Sequence, residues 1–389
     1  MTDSQNEPLP LEGLRVVALE QAVSAPFCSR QLADMGADVI KIERPGEGDL
    51  ARGYDSVVHG ESAYFAWLNR GKRSLVADLK QERDHRIVAE LIARADVLIH
   101  NLAPGAVERL GFGYDELSAR HPRLIWCGMS GYGPDGPYRD KKAYDMLVQA
   151  ESGIVSLTGT EQNPAKVGIS ITDIGSGLYA YSSILAALIQ RGKTGRGERI
   201  DISMFECMTE WVMPPLYVWY GTKKVPIRAG VRHNMVVPYG AYRCADGLVM
   251  FAVQNSREWR RLCELVLRMP ELADDARFAT NQARLENRAV LEALIDETFG
   301  RHSRAEVLAL LEKADLPTSD VNDVPAVEVH PQLKARKRWT IVDSPSGTIP
   351  ALIPPHNLAH VAPRMGRIPA LGEHTREILE EIGFAEAET

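Results

Sequence analysis

One carboxylate stands among residues that would let it do chemistry. Asp173 lies in the segment Ile171-Thr-Asp-Ile-Gly-Ser-Gly177, at the start of a strongly apolar stretch that predicts a helix. A carboxylate there can cap the helix, because it accepts amide hydrogens and complements the helix dipole. It can also be a covalent nucleophile, since the two glycines would let a ligand approach and helix amides can stabilise an oxyanion. The position alone leaves both interpretations open.

Several polar residues share a place just after predicted strands. They are Arg44, Lys80, Asn101 and Arg109, and Lys142 follows the glycine-rich segment Ser130-Gly-Tyr-Gly-Pro-Asp-Gly136. Each basic residue alone is typical of a solvated surface, but as a set they suit a polyanion such as a nucleotide. The glycine-rich segment has neither the dinucleotide-binding nor the Walker pattern, so an ordinary wide loop explains it at least as well.

The elements that must position these residues alternate between strand and helix. Strands are predicted at 15–19, 37–42, 74–77, 96–100, 122–126 and 199–203, and helices at 27–35, 81–93 and 177–189. This alternation predicts a doubly wound α/β domain with a parallel sheet, in which ligands bind beyond the carboxyl ends of the strands. Between 223 and 320 a predicted hairpin and three charged helices indicate a smaller α+β insertion.

Composition limits the class of protein. The chain has 389 residues and a net charge of −7, which does not favour non-specific binding of nucleic acid. No window approaches about 18 uninterrupted apolar residues, and the N-terminus lacks a signal-peptide pattern, so we expect no membrane partner and a cytoplasmic location. The five cysteines are far apart and have no zinc-ligand spacing, so we expect neither disulfides nor a metal site.

An ordered series of motifs carries a family resemblance from Leu9 to Gly383. They are Ala25–Cys28, Leu32–Glu43, Gly48-Asp49, Asn69–Ser74, Asn101–Gly105, Ser130–Gly133, Tyr144–Gly153, Lys193–Gly197 and Leu371–Thr375, with Asp173 between them. In these motifs the chain resembles the class III CoA-transferases. That group includes formyl-CoA transferase, carnitine CoA-transferase and 2-methylacyl-CoA racemase.

The resemblance implies a fold and an assembly. The expected large domain is Rossmann-like and built from both chain ends, 1–222 and 321–389, around the small domain 223–320. Two such chains would interlock as a homodimer. The substrates would be an acyl-CoA and a carboxylic acid, with coenzyme A thioester as substrate and no permanently bound cofactor.

The resemblance also assigns residues. Asp173 would be the nucleophile, forming first an acyl anhydride and then an aspartyl-CoA thioester. The implied CoA contacts are Val23, Ser24, Arg44, Ala77, Asp78, Leu79, Lys80, Asn101, Leu102, Arg109 and Lys142. These include the strand-end residues noted above.

Two departures bear on the reaction. Racemases have a histidine immediately before the aspartate that matches Asp145, and here that residue is Tyr144, so a general base is missing. The glycine run of formyl-CoA transferases is also absent, which favours a larger acceptor acid. We expect the substrate to meet Tyr144 and Asp145, and its second carboxylate to meet Arg52 or the Arg232-His233 pair.

The predicted substrates are therefore dicarboxylates such as succinate, malate, itaconate or mesaconate. The alternatives are a racemase-like isomerase and a non-catalytic acyl-CoA-binding protein. A pure binder has no need of a carboxylate at position 173.

Overall fold

The computed structural model describes residues 7–384. The strands are β1 (Arg15–Leu19), β2 (Asp38–Glu43), β3 (Arg73–Val76), β4 (Val97–His100), β5 (Ile125–Ser130), β6 (Arg199–Ser203), β7 (Tyr239–Cys244), β8 (Gly247–Ala252), β9 (Thr318–Asp320), β10 (Trp339–Ser344) and β11 (Gly347–Leu352). The helices are α1 (Ser24–Asp34), α2 (Ala63–Asn69), α3 (Glu82–Ala93), α4 (Ala106–Arg109), α5 (Tyr114–Arg120), α6 (Asp145–Glu151), α7 (Ile154–Leu157), α8 (Ile171–Thr194), α9 (Met204–Trp211), α10 (Met213–Thr222), α11 (Ser256–Arg261), α12 (Asn281–Glu286), α13 (Arg288–Phe299), α14 (Arg304–Lys313), α15 (Val324–Glu328), α16 (Pro331–Ala335) and α17 (Thr375–Ile382).

A six-stranded sheet organises the first part of the chain. Its order is β3-β2-β1-β4-β5-β6, and every neighbouring pair is parallel. This is the strand order of doubly wound folds, with the change of direction between β1 and β4. The predicted α/β class with a parallel sheet is therefore confirmed.

Helices cover both faces of this sheet. On one face, side chains such as Val17 and Leu19 of β1 share an apolar cluster with α3, α5 and α17. The alternate residues Val16 and Ala18 are also buried, and α1 and α8 contact the strands. Because both faces are covered, the strands consist of nearly continuous apolar runs, and this made their positions predictable.

The chain divides into two compact units. Among residues 7–384, the first contains 7–152, 167–212 and 332–384, and the second contains 153–166 and 213–331. Segments from both the N-terminal and the C-terminal part of the described chain therefore contribute to the unit that holds the parallel sheet. The expected segments differ in detail, since they divided the chain after 222 and after 320.

The second unit has its own core. Strands β7, β8 and β9 form an antiparallel sheet, and the β7–β8 hairpin occurs where the turn signal predicted it. Buried residues of this sheet, such as Tyr242 and Phe251, pack with the helices that follow. The unit is thus a small α+β body.

The long helix α8 begins six residues earlier than predicted and ends later. The prediction began at Gly177, because glycines inside a helix are unfavourable. A side chain at Gly177 would come within 2.7 Å of the Ser24 carbonyl oxygen on α1. One at Gly175 would meet Met208 and Trp211 of α9 at 2.7 and 2.8 Å. The glycines are therefore inside the helix because neighbouring helices pack too closely for a side chain.

Candidate active site

The crevice at the change of strand direction is closed by hydrogen bonds between the segments that follow β1 and β4. The amide of Gln21 donates to Asn101 Oδ1 at 2.9 Å, and Asn101 Nδ2 donates to the Gln21 carbonyl at 2.8 Å and to Ser24 Oγ at 3.4 Å. Val23 precedes α1 and provides no side-chain cap for it. The structure thus brings Val23, Ser24, Asn101 and Leu102 together where ligands of doubly wound folds bind.

Beneath this crevice lies a buried charge cluster of Glu20, Lys41, Asp49 and Lys72. Lys72 Nζ lies 2.6 Å and Lys41 Nζ 3.3 Å from Glu20 Oε1, and Lys41 Nζ lies 2.7 Å from Asp49 Oδ2. All four side chains are buried. Burial by itself would raise the pKa of Glu20, but the charges of Lys72 and Lys41 lower it. The cluster is therefore charged and held by mutual pairing.

The buried charge cluster fixes the backbone before α1. Asp49 Oδ1 accepts the amide hydrogen of Ala22 at 2.9 Å, and Ala22 has a left-handed φ of 62°. Such a conformation is uncommon for alanine and needs support from its surroundings. This cluster was not predicted from the sequence, although a lysine between two isoleucines in a buried strand was a signal of it.

Asp173 lies inside the first turn of α8, and the helix N-cap is Ser170. Its carboxylate accepts no hydrogen bond from the part of the chain that the structure describes. The amides of Thr172 and Asp173 instead donate to Asp145 Oδ1, at 2.8 and 3.2 Å. The interpretation of Asp173 as a helix cap is therefore wrong, because Asp145 on α6 caps the amides from a distant part of the sequence.

A glutamine holds the capping carboxylate in place. Gln149 is buried on α6, and its Nε2 donates to Asp145 Oδ2 at 2.6 Å. Its Oε1 accepts the amide hydrogen of Val167 at 2.9 Å. Asp145, expected at the substrate, is thus committed to the start of α8, which it positions together with Gln149.

The environment of Asp173 makes it a poorly solvated carboxylate. Burial raises its pKa to about 7, and the nearby charge of Asp145 adds to the rise. A carboxylate that water and hydrogen-bond donors stabilise weakly is more basic and more nucleophilic. A pKa of about 7 means that the group is partly ionised near neutral pH.

Tyr54 lies near both Asp173 and Tyr144. The pKa of Tyr54 is raised by burial and by the charges of Asp49, Asp173 and Tyr144. Tyr54 is 49% exposed and Tyr144 72% exposed. Tyr54 was not predicted as a site residue, and no motif pointed to it. Tyr144 stands before α6, next to the Asp145 that caps α8.

The other expected CoA contacts follow strand ends or loops. Arg44 follows β2, and Ala77, Asp78, Leu79 and Lys80 follow β3, where the amide of Ala77 donates to the Glu43 carbonyl at 2.9 Å. The basic residues of the set, Arg44, Lys80, Arg109 and Lys142, are exposed. Among residues 7–384 none of these four forms an ion pair with a carboxylate, so their positive charges remain uncompensated. Their contact with CoA stays a prediction.

The arginines that were expected to bind the second carboxylate of the substrate already pair with acidic side chains of the chain. Arg52 donates two hydrogen bonds of 2.8 Å to the carboxylate of Glu43. In the second unit, Arg232 pairs with Glu292 at 2.8 Å and with Asp296 at 2.7 Å. His233 Nδ1 accepts the amide hydrogen of Met235 at 3.0 Å. Arg52 and Arg232, expected to meet the second carboxylate of the substrate, are therefore already neutralised by acids of the chain.

Residues 7–384 contain neither a cluster of metal ligands nor a helix that could span a membrane. No group of three histidine, cysteine, aspartate or glutamate side chains there is arranged to hold a metal ion. None of the helices described is both long and apolar enough to cross a membrane.

Comparison with known proteins decides the family. The sequence model described as CoA-transferase family III matches residues 11–375. The chain belongs to this family. It is an enzyme of the CoA-transferase class, and the resemblance identified in the sequence is confirmed.

Individual relatives of this CoA-transferase agree with that assignment. A succinate–glutarate CoA-transferase of Agrobacterium fabrum is 35% identical over 98% of this chain and 98% of its own length. An acetyl-CoA:oxalate CoA-transferase of Acetobacter aceti is 39% identical over 84% of each chain. A CAIB/BAIF family protein from Brucella suis, known from a crystal structure, is 37% identical in sequence. Its structure matches with a TM-score of 0.84 over 97% of this chain and 100% of its own.

Proposed function

We propose that this CoA-transferase passes CoA from an acyl-CoA thioester to a dicarboxylic acid through covalent intermediates on Asp173. The observation that carries the proposal is the Asp173 carboxylate itself. It is partly buried, its pKa is raised to about 7, and the amides beside it are taken by Asp145. A carboxylate in this state does not cap α8 by hydrogen bonds and is available as a nucleophile.

The first half-reaction moves CoA onto the enzyme. The Asp173 carboxylate attacks the thioester carbonyl, the carbon–sulfur bond breaks, and CoA leaves as the thiolate. The product on the enzyme is a mixed anhydride. The thiolate then attacks the aspartyl carbonyl of this anhydride, which releases the donor's carboxylate and leaves an aspartyl-CoA thioester.

The second half-reaction reverses these steps with the acceptor. Its carboxylate attacks the aspartyl carbonyl, which again gives an anhydride and CoA thiolate. The thiolate attacks the acceptor's acyl carbon, so the new acyl-CoA forms and the Asp173 carboxylate is regenerated. Covalent transfer thus replaces one difficult exchange with steps that each use a good leaving group.

We place CoA at the carboxyl ends of the parallel strands. Its expected contacts are the crevice residues Val23, Ser24, Asn101 and Leu102, together with Ala77, Asp78 and Leu79 and the exposed cations Arg44, Lys80, Arg109 and Lys142. The interlocked homodimer and the cytoplasmic location belong to this proposal as well. Unpaired cations suit the phosphates of CoA, because guanidinium and ammonium groups form charge-assisted hydrogen bonds with them.

The proposed acceptor is a dicarboxylate of four or five carbons. The relative from Agrobacterium fabrum is named for succinate and glutarate, and the expected set of succinate, malate, itaconate and mesaconate has the same chemistry. This choice rests on the relatives, because Arg52 and Arg232 already pair with carboxylates of the chain.

The test traps the enzyme-bound intermediate. Purified protein is incubated with succinyl-CoA and hydroxylamine, and its peptides are analysed by mass spectrometry. We expect a mass change confined to the peptide that contains Asp173, and we expect none in Asp173→Ala. Asp115→Asn, a change of an exposed acid in the first turn of α5, serves as the control and should be modified like the wild type.

Two results would contradict the proposal. One is an unmodified Asp173 peptide, with transfer activity retained by a folded Asp173→Ala protein. The other is transfer between monocarboxylates without any use of succinyl-CoA, which would contradict the dicarboxylate assignment alone. If the protein bound acyl-CoA but transferred CoA to none of the carboxylic acids tested, it would be a binding protein.

A further inference from the structure

The second compact unit contains a cavity of about 640 Å³ that the CoA-transferase reaction does not use in the mechanism above. Four arginines and two acids line it, namely Arg228, Arg232, Arg243, Arg288, Glu292 and Asp296. A cavity of this size is in the range of about 300–1,000 Å³ that is typical of small-molecule sites. We call it the arginine cavity.

Two of the arginines are neutralised inside the cavity wall. Arg232 donates to Glu292 at 2.8 Å and to both carboxylate oxygens of Asp296 at 2.7 and 2.9 Å. Arg288 Nε donates to the other oxygen of Glu292 at 2.9 Å. The two acids thus balance Arg232 and Arg288, and these four groups form a rigid charged wall.

Arg228 is held without a countercharge. Its guanidinium donates to the carbonyl oxygens of Thr160 and Glu161 at 2.8 and 2.7 Å. Carbonyl oxygens orient a guanidinium but do not cancel its charge. Arg228 is therefore fixed in position and still positive.

Arg243 carries the second uncompensated charge. It lies on β7, and its backbone amide donates to Asp296 at 3.3 Å. Its side chain forms no hydrogen bond or ion pair with any residue between 7 and 384. The guanidinium is exposed and always protonated, so its N–H groups are free to bind an anion. The arginine cavity therefore has an excess of two positive charges, in a chain whose net charge is −7.

The remaining wall adds an apolar surface. Ile227, Val231 and Leu248 line the cavity beside the arginines. Thr160 also lines it, and its hydroxyl oxygen accepts the amide hydrogen of Asn163 at 3.1 Å, which leaves the hydroxyl hydrogen free to be donated. Fixed cations, a hydroxyl donor and apolar walls together suit an organic anion more than a bare inorganic one.

We propose that the arginine cavity is a binding site for a small organic dianion, with Arg228 and Arg243 as its principal ligands. The site lies in the second compact unit and is distinct in its residues from Asp173 and the strand-end residues of the first unit. This inference goes beyond CoA transfer and does not depend on which acids the enzyme uses. Carboxylate and phosphate groups share the required chemistry, because both accept paired hydrogen bonds from a guanidinium.

The experiment uses the full chain as Asp173→Asn, so that no covalent chemistry occurs. Glutarate and inorganic phosphate are titrated separately while hydrogen–deuterium exchange is followed. We expect protection of the peptides that span residues 227–248 with at least one of the two probes. Protection by glutarate alone identifies a dicarboxylate site, and protection by phosphate identifies a site for phosphate-bearing anions.

Variants assign the effect to the two arginines. We expect Arg243→Gln to weaken the binding that protects residues 227–248 about tenfold, since a charge-assisted contact is lost. Arg243→Lys should weaken it less, because the charge is kept while the planar fork is lost. Arg257→Gln is the matched control, since Arg257 is an exposed arginine of the same unit that pairs with Asp315 outside the cavity.

The outcomes separate clearly. A Kd that Arg243→Gln and Arg228→Gln both leave unchanged would overturn the assignment, as would protection by neither probe. A loss of binding in Arg257→Gln equal to that in Arg243→Gln would show a non-specific charge effect and would also overturn it. Because the readout is local protection in a catalytically inactive protein, its failure is distinct from a failure of the Asp173 mechanism.

Discussion

A carboxylate that is poorly solvated should lower the stability of the protein, and Asp173 allows this loss to be measured. Its pKa rises from 3.8 to about 7, first because of burial and then because of Asp145. Each tenfold change in proton affinity is worth about 1.4 kcal/mol, so the ionised form is disfavoured in the folded state by up to about 4 kcal/mol. Asp173→Asn removes this charge and keeps the shape. At pH 8 we expect it to raise the free energy of unfolding by about 1–3 kcal/mol, since solvent reaches part of the side chain.

The pH dependence gives the sharper test. Below pH 3.8 the carboxyl is protonated in both the folded and the unfolded chain, so its contribution vanishes. As pH rises from 3.8 to about 7, the unfolded chain loses the proton first, and the wild type loses stability relative to the variant. Above about pH 7 the difference should be constant. Part of the stability gained by Asp173→Asn is offset, because a carboxylate in the first turn stabilises the helix through its dipole by about 0.3–1 kcal/mol.

Urea unfolding of both proteins at about pH 4.5, 6 and 8 measures the effect. Asp115→Asn controls for the loss of an acid in a first helical turn and should change stability by less than about 0.5 kcal/mol. The reasoning is refuted if Asp173→Asn is no more stable than the wild type at pH 8. A stability difference that is the same at pH 4.5 and pH 8 would refute it equally.

Two further predictions concern Asp145 and the buried charge cluster. Asp145→Asn removes the charge that adds to the raised pKa of Asp173. The rise of kcat/KM with pH should therefore occur at lower pH than in the wild type. A rise at the same pH or at higher pH contradicts the prediction. Lys72→Met leaves the buried carboxylate of Glu20 without its 2.6 Å partner and should lower the free energy of unfolding by about 3 kcal/mol in urea titrations. Lys193→Met, at an exposed lysine, is the control, and an equally small effect at both lysines would show that the buried pair is unimportant.

The strands of the parallel sheet were accessible from the sequence because burial on both faces requires continuous apolar runs. The strands Arg15–Leu19 and Arg199–Ser203 were predicted to the residue. The others were located to within a few residues, and the largest difference is β5, which extends from Ile125 to Ser130 where 122–126 was expected. The apolar run marks the buried part of a strand, whereas its ends depend on where the partner strands stop. The ends of each strand are therefore set by its pairing with neighbouring strands, which the apolar pattern does not show.

The surroundings of Asp173 could not be predicted in the same way. The glycines at 175 and 177 indicated a helix beginning after them, and only the close approach of Ser24 and Trp211 shows why they are inside it. The cap of this helix comes from Asp145, 28 residues away in sequence, and no local rule detects such a contact. The ion pairs of Arg52 and Arg232 are also tertiary contacts. The sequence does not show them, so both arginines were expected to be available to a substrate carboxylate.

The position of α17 has a consequence for how the protein is made. Ile378, Leu379 and Ile382 complete the apolar cluster on one face of the parallel sheet, whose last strand ends at Ser203. Ribosomes add roughly 5–20 residues per second, so the sheet waits on the order of 10–30 s before α17 is synthesised. During this interval the face that α17 covers is exposed to solvent, and a chain released early lacks its cover. Nascent chains of this protein should therefore depend on chaperones until α17 has left the ribosome.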